Sequence, residues 1–287
     1  MKSVYSLAIK SLLRDLKTYI FLAIMFLAEG FFLTYINFNN QYSAIEYSLE
    51  FIEIALMLAL PLITAEVFTA DRESGFEKTL FAFGVPKASL YAGRALASLT
   101  VFAVPYLLLI IAPFIFGVFG IVNFGATFSS VLAYFLVGIS LVSVCLFISL
   151  TVKKRLHSYI ISYVAMLVIY FFGIFASVVP MSRGFSLLLL TVIAVVIAVL
   201  IYLFTKSGIV SGGFFCIVEA LLILFYFVTP KAFGRAFSMF LDLLSPCASL
   251  NAVVYGPFDL AAIAHLILFT AVFVLLSLVQ LHRRKYE

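Results

Sequence analysis

The stretch ADRESGFEKTLFAFGVPKASLYAGRA, residues 70–95, lies between two long apolar runs and carries three acids and four bases. The chain around it is 65% hydrophobic and has only 18 basic and 13 acidic residues. The charge concentrated here therefore marks a segment that meets water while its flanks avoid it. Within it, Gly75 suits a left-handed turn that other residues resist. From Phe76 onward the pattern is helical: Phe76, Leu80 and Phe83 fall at i, i+4 and i+7, with Glu77, Lys78 and Lys87 off that stripe. Gly84 or Pro86 is expected to end this helix, because proline cannot continue one cheaply, and a new helix is expected near Ser89.

Outside that stretch the composition settles the class. A mean hydropathy of +1.23 with 11% charged residues excludes a soluble globular domain, where about a quarter of residues are charged. Spanning helices need roughly 20 mostly apolar residues each. Apolar runs of that length occur at 18–38, 50–69, 95–120, 126–150, 157–180, 185–205, 209–229 and 258–281. The expected fold is an all-α polytopic membrane protein, one permease-sized bundle of about eight helices over 1–287. Six is the alternative if the hairpin 185–229 only re-enters the bilayer. The first run reads as a retained span rather than a cleaved leader.

Basic residues set the expected orientation. With the spans alternating in direction, Lys2, Lys10, Arg14 and Lys17 fall on the same side as Arg72, Lys78, Lys87 and Arg94, as Lys153, Lys154 and Arg155, as Lys206, and as Arg283, Arg284 and Lys285. Only Arg183, Lys231 and Arg235 fall on the opposite side. A cytosolic N-terminus and C-terminus in the plasma membrane follow from the positive-inside rule. The net charge of +5 is thus a topology signal and gives no reason to expect nucleic acid. With no Trp, 15 Tyr and 33 Phe, tyrosine is the expected interfacial anchor.

Two further segments are amphipathic. Residues 1–17 place Lys10, Arg14 and Lys17 on one face, as expected of a helix lying on the inner surface. In the outer loop 230–257, Lys231, Arg235, Ser238 and Asp242 share one stripe, and Phe233, Phe237, Phe240 and Leu244 another.

The order Glu66, Asp71-Arg72-Glu73, Gly75, Leu80, Ala82, Val85, Leu90, Gly93 and Arg94 resembles the cytosolic loop 70–94 of ABC-2-type transporter permeases. Phe76 and Lys78 replace that family's usual Thr and Glu, Gly84 stands where Pro is common, and Arg94 stands for its Lys. LLSPCASLNAVVYGPFDL, residues 243–260, is similar to the Leu-Ser-Pro, Gly and Asp markers before the family's last span, through Ser245, Pro246, Gly256 and Asp259. FLAEGFFL in the first span is a looser echo of the gliding-motility and sodium-extrusion branches.

The resemblance implies a non-enzymatic transport subunit, an exporter, whose loop is a coupling helix docked in a separate ATP-binding subunit. It implies a second permease protomer and lipid as the other partners. ATP and Mg would sit on the ATPase, since this chain has no G-x-x-x-x-G-K-[ST] segment. The residues implied in coupling are Glu66, Asp71, Arg72, Glu73, Gly75, Phe76, Leu80, Phe83, Gly93 and Arg94. In such an interface an apolar stripe anchors and flanking charges form a salt-sensitive rim.

Glu29 and Glu219 fall in mid-span, and His265 in the last span. An acid at bilayer centre costs on the order of 2.5–3.5 kcal/mol, so it faces protein or water. These three are the candidate polar lining of a translocation path. Glu29 and Glu219 also define an alternative, an ion-coupled secondary transporter. Packing glue between helices is the competing role for both acids, and a structural hydrogen bond for His265. Glu53 and Glu66 fall near opposite ends of the second span, where water is expected to reach them. No HExxH, G-x-S-x-G or Cys/His metal spacing occurs, which leaves catalytic and metal-binding residues unassigned.

Overall fold

The computed structural model describes residues 2–180, 182–229, 233–255 and 259–283. Among them there is helix and no strand. Among the described residues, seven helices are long and apolar enough to cross a bilayer, or up to eight if the helix pair broken at Ser245 counts as one span. The expected all-α, multi-span class is thus the observed one, with seven such helices where about eight are expected and six is the alternative, and with the expected span 185–205 falling among the shorter apolar helices. The chain divides into two compact units, Met1–Ile169 with Pro246–Glu287, and Tyr170–Ser245.

In the first unit α1 (Lys2–Arg14) packs along the start of α7 (Lys87–Phe116). The helix expected over the first 17 residues is interrupted at Asp15, whose side chain accepts from the Lys17 amide at 3.1 Å and caps α2 (Leu16–Phe32). Lys17 therefore belongs to the first span and not to the surface helix. α2 continues as a widened π-helical segment, Leu33–Phe38. Asn37 in that segment is fully buried. Its amide donates to the Tyr42 and Ala44 carbonyls at 3.1 and 2.6 Å, and Ser48 donates to its Oδ1. These bonds satisfy the loop backbone that must turn the chain back into the bilayer.

The second span runs Glu46–Glu73 in three pieces, α3 (Glu46–Ala59), α4 (Pro61–Thr64) and α5 (Val67–Glu73). Pro61 starts the second piece, where its missing N–H costs nothing. After Gly75 the chain enters α6 (Phe76–Ala82) and then α7, which begins at Lys87, two residues before the expected Ser89. α8 (Phe124–Thr151) is the axis of this unit, touching α3, α4, α5 and α7. It also touches α13 (Pro246–Tyr255) and α14 (Leu260–Arg283). Its small residues permit this. Gly138 faces the Phe102 ring, and Ser140 bonds Thr270 and the Leu266 carbonyl of α14.

α9 (Arg155–Val178) leads into the second unit, where α10 (Arg183–Thr205) and α11 (Gly208–Val228) form a hairpin. Ser182 and Ser207 cap the two helices, and Lys206 takes a left-handed conformation (φ 51°) in the turn between them. The short α12 (Ala236–Leu244) packs Phe237 and Leu241 on Ala176 of α9. Ser186 donates to the Gly234 carbonyl and Ser238 to the Ala176 carbonyl. Only 6% of the α11 apolar window is buried within the chain, as befits a surface solvated by lipid. Of the sequence markers, Gly256, Lys231, Arg284 and Lys285 lie outside the described residues.

Candidate functional site at the charged end

Gly75 and Gly84 both adopt φ 74°, and between them α6 forms a two-turn bracket. No side chain crowds either glycine, so the demand there is conformational rather than steric. Phe83, just past the end of α6, is 82% exposed, while Phe76 and Leu80 on the helix are half-buried. The helix thus offers one fully open aromatic ring and two partly covered neighbours.

The charges flanking α6 do not form a loose rim. Each is tied to a helix end or to an opposite charge inside the first unit. Arg94, 6% exposed, donates to Asp71, 9% exposed, at 2.6 Å, which joins α7 to α5. Arg72 reaches the Val152 and Leu150 carbonyls, both at 2.7 Å. A guanidinium there answers the unpaired carbonyls and the negative dipole at the α8 C-terminus. Glu73 does the converse at the α9 N-terminus. It accepts from the Arg155 amide at 2.8 Å and pairs with its guanidinium at 2.8 Å.

Lys17 of α2 pairs with Glu66 at 2.7 Å and lies 5.0 Å from the Tyr159 ring centre. Lys87 donates to the Leu281 carbonyl at 2.8 Å and so closes the C-terminal end of α14. Bases from α2, α5, α7 and α9 are in this way gathered at one end of the first unit, the end that carries α6. Gly93 has a different use. A Cβ there would stand 2.8 Å from Val4 and 3.2 Å from the Tyr5 amide, so glycine lets α1 lie against α7.

Sequence reasoning missed Lys17, Tyr159, Arg155 and the α8 carbonyls as members of this cluster. Their partners lie about 80 residues away in sequence or on another apolar run, where periodicity carries no signal. Asp15, Thr18, Glu66, Asp71 and Arg94 line a cavity of about 60 Å³ beside the ion pairs. That is far below the roughly 300–1,000 Å³ of small-molecule pockets, so the cluster holds helices together and is no substrate chamber.

Arg72→Gln removes two charge-assisted bonds to the end of α8, each in the class worth about 1.5–3 kcal/mol. With partial recovery from water at this partly exposed site, a loss of about 2 kcal/mol in thermal unfolding of the detergent-solubilised chain is expected. Unchanged unfolding would show that the carbonyls are satisfied without it.

The mid-span candidates divide. Glu29 is fully buried, and neither carboxyl oxygen has a hydrogen-bond partner among the described residues. Glu219 accepts from Thr191 with both oxygens, at 3.1 and 3.2 Å, across the α10–α11 hairpin. His265 Nδ1 bonds Ser249 Oγ at 2.7 Å, joining α14 to α13. Glu53, expected near water, is only 3% exposed. The second span begins at Glu46, ahead of the apolar run 50–69, so Glu53 lies well inside α3 and within the packed bundle, not at its rim.

Comparison of the chain with protein-family models, with curated proteins and with solved structures finds no match in any of the three.

Proposed function

We propose that this chain is the membrane permease subunit of an ATP-driven transporter of the ABC-2 type, an exporter, powered by a separate ATP-binding subunit. A second permease protomer would complete the assembly in the plasma membrane, with both termini cytosolic. The single observation that carries the reading is α6. It is a short helix held out between two left-handed glycines, with Phe83 open and its base clamped to the ends of α8 and α9. A push on such a bracket is delivered to the spanning helices through ion pairs and not absorbed by a slack loop. That mechanical property is what coupling to a nucleotide-driven motor demands. The charge distribution adds support, because the end bearing α6 is the basic end, and basic ends face the cytosol.

ATP and Mg belong to the partner in this reading, and the chain itself transports without catalysing. An ion-coupled secondary transporter is the second reading, favoured by the unpartnered carboxyl of Glu29.

Affinity purification of the tagged chain from its native host tests the first reading. An ATP-hydrolysing subunit is expected to co-purify. Leu80→Asp with Phe83→Asp is expected to remove it, since losing an apolar anchor of about 2 kcal/mol weakens binding roughly thirtyfold. An ATPase retained in full by the double variant, or transport sustained by an ion gradient alone, overturns the proposal.

A further inference from the structure

Three oxygen-bearing side chains are buried deep in the first unit, away from the charged end. Glu29 comes from α2, Glu53 from α3 and Tyr134 from α8, and they are 0%, 3% and 0% exposed. Both oxygens of Glu29, Oε1 of Glu53 and the Tyr134 hydroxyl have no hydrogen-bond partner among the described residues. The Tyr134 hydroxyl lies within electrostatic reach of both carboxyls. α2 packs on α3, and α3 on α8.

No counter-ion serves them. Between Lys17 and Arg72, and again between Arg94 and Lys153, the sequence contains no Lys, Arg or His. The facing groups are otherwise acidic or neutral. Glu50 adds a further carboxyl on α3, and Cys247 of α13 hydrogen-bonds Glu53. α7 beyond Arg94 carries Tyr106 as its one titratable side chain, α4 carries none, and His265 of α14 is bonded to Ser249. Two ionised carboxylates in such a place would be uncompensated buried charges.

We infer that Glu29, Glu53 and Tyr134 form a proton-binding site inside the bundle, filled while α2 is packed on α3 and emptied when the two part. The carboxyls hold their protons in the packed state, where Tyr134 supplies a neutral hydroxyl able to donate or accept. When the helices separate and water enters, a carboxyl O–H bond breaks, the proton passes to water and a hydrated carboxylate remains. By linkage, the packed arrangement binds more protons than the parted one, so raising the pH favours parting. The site is independent of any nucleotide-driven partner, and it unites Glu29 with Glu53 rather than with Glu219.

The test uses the full chain in nanodiscs of neutral lipid, read by infrared spectroscopy of the protonated-carboxyl carbonyl band in heavy water. At neutral pH the wild type is expected to show a slowly exchanging band. Glu29→Gln and Glu53→Gln should each remove part of it and the double variant should abolish that component. Tyr134→Phe should shift its frequency while leaving its intensity. Gln keeps the shape of protonated Glu, so folding is retained, and the wild-type band can be judged without any variant. The absence of that band in the wild type overturns the proposal. So does a band indifferent to both Gln substitutions, or one displaced by added sodium at constant pH.

Discussion

Arg94→Met is expected to cost about 3–5 kcal/mol of folding stability, the largest effect of any single change considered for this chain. The substitution leaves the Asp71 carboxylate buried with its principal partner gone, and an uncompensated charge of that kind is worth far more than the pair itself. The double variant Asp71→Leu with Arg94→Met should recover most of the loss, because removing both partners also removes their joint desolvation cost. Thermal unfolding of the four proteins in one detergent forms a cycle that isolates the coupling. Equal stability of Arg94→Met and wild type would mean that Asp71 is served by water or by Arg155, and the pair would then not be what ties α7 to α5.

The second large effect is steric. A methyl group at position 138 would overlap the ring of Phe102, which is fully buried and stacked 5.6 Å from Phe135. The ring has nowhere to go without moving α7 away from α8. Gly138→Ala is therefore expected to destabilise by about 1–3 kcal/mol through overpacking, although alanine is ordinarily the better helix former. Phe102→Leu in the same chain vacates the ring position and should return much of the loss. Unfolding curves for the two single variants and the double decide it: a stabilised Gly138→Ala would show that the α7–α8 contact is looser than the structure has it.

How much of this was legible beforehand depends on the distance over which each signal acts. The apolar runs disclose spans because lipid demands a whole helix of greasy residues, and that demand is local. The bracket around α6 was also readable, since Gly75, Gly84 and the Phe76–Leu80–Phe83 stripe lie within ten residues of one another. The start of α7 came early because Pro86 is itself a good helix-entry residue, in extended conformation (ψ 137°) just before Lys87. What could not be read was the use of the charges. Composition marks Arg72 and Glu73 as wet, whereas the structure binds them to the end of α8 and the start of α9, some 80 positions on. Glu53 differs from expectation for a similar reason: the apolar run starts at 50, whereas α3 itself starts at Glu46 and is covered by α2 and α8, helices distant in sequence. Tyr134 gave no signal at all within a continuous apolar run.

The long reach of Arg72 has a bearing on how the chain is made. Its carbonyl acceptors at Leu150 and Val152, and the Arg155 partner of Glu73, leave the ribosome long after the segment that needs them. A nascent chain halted after α7 would hold α6 on an unfinished footing, open to proteases and to premature partners. Once α8 and the first turn of α9 have been inserted, the latch can close. The footing of the charged segment is therefore complete only after the fourth span has been made.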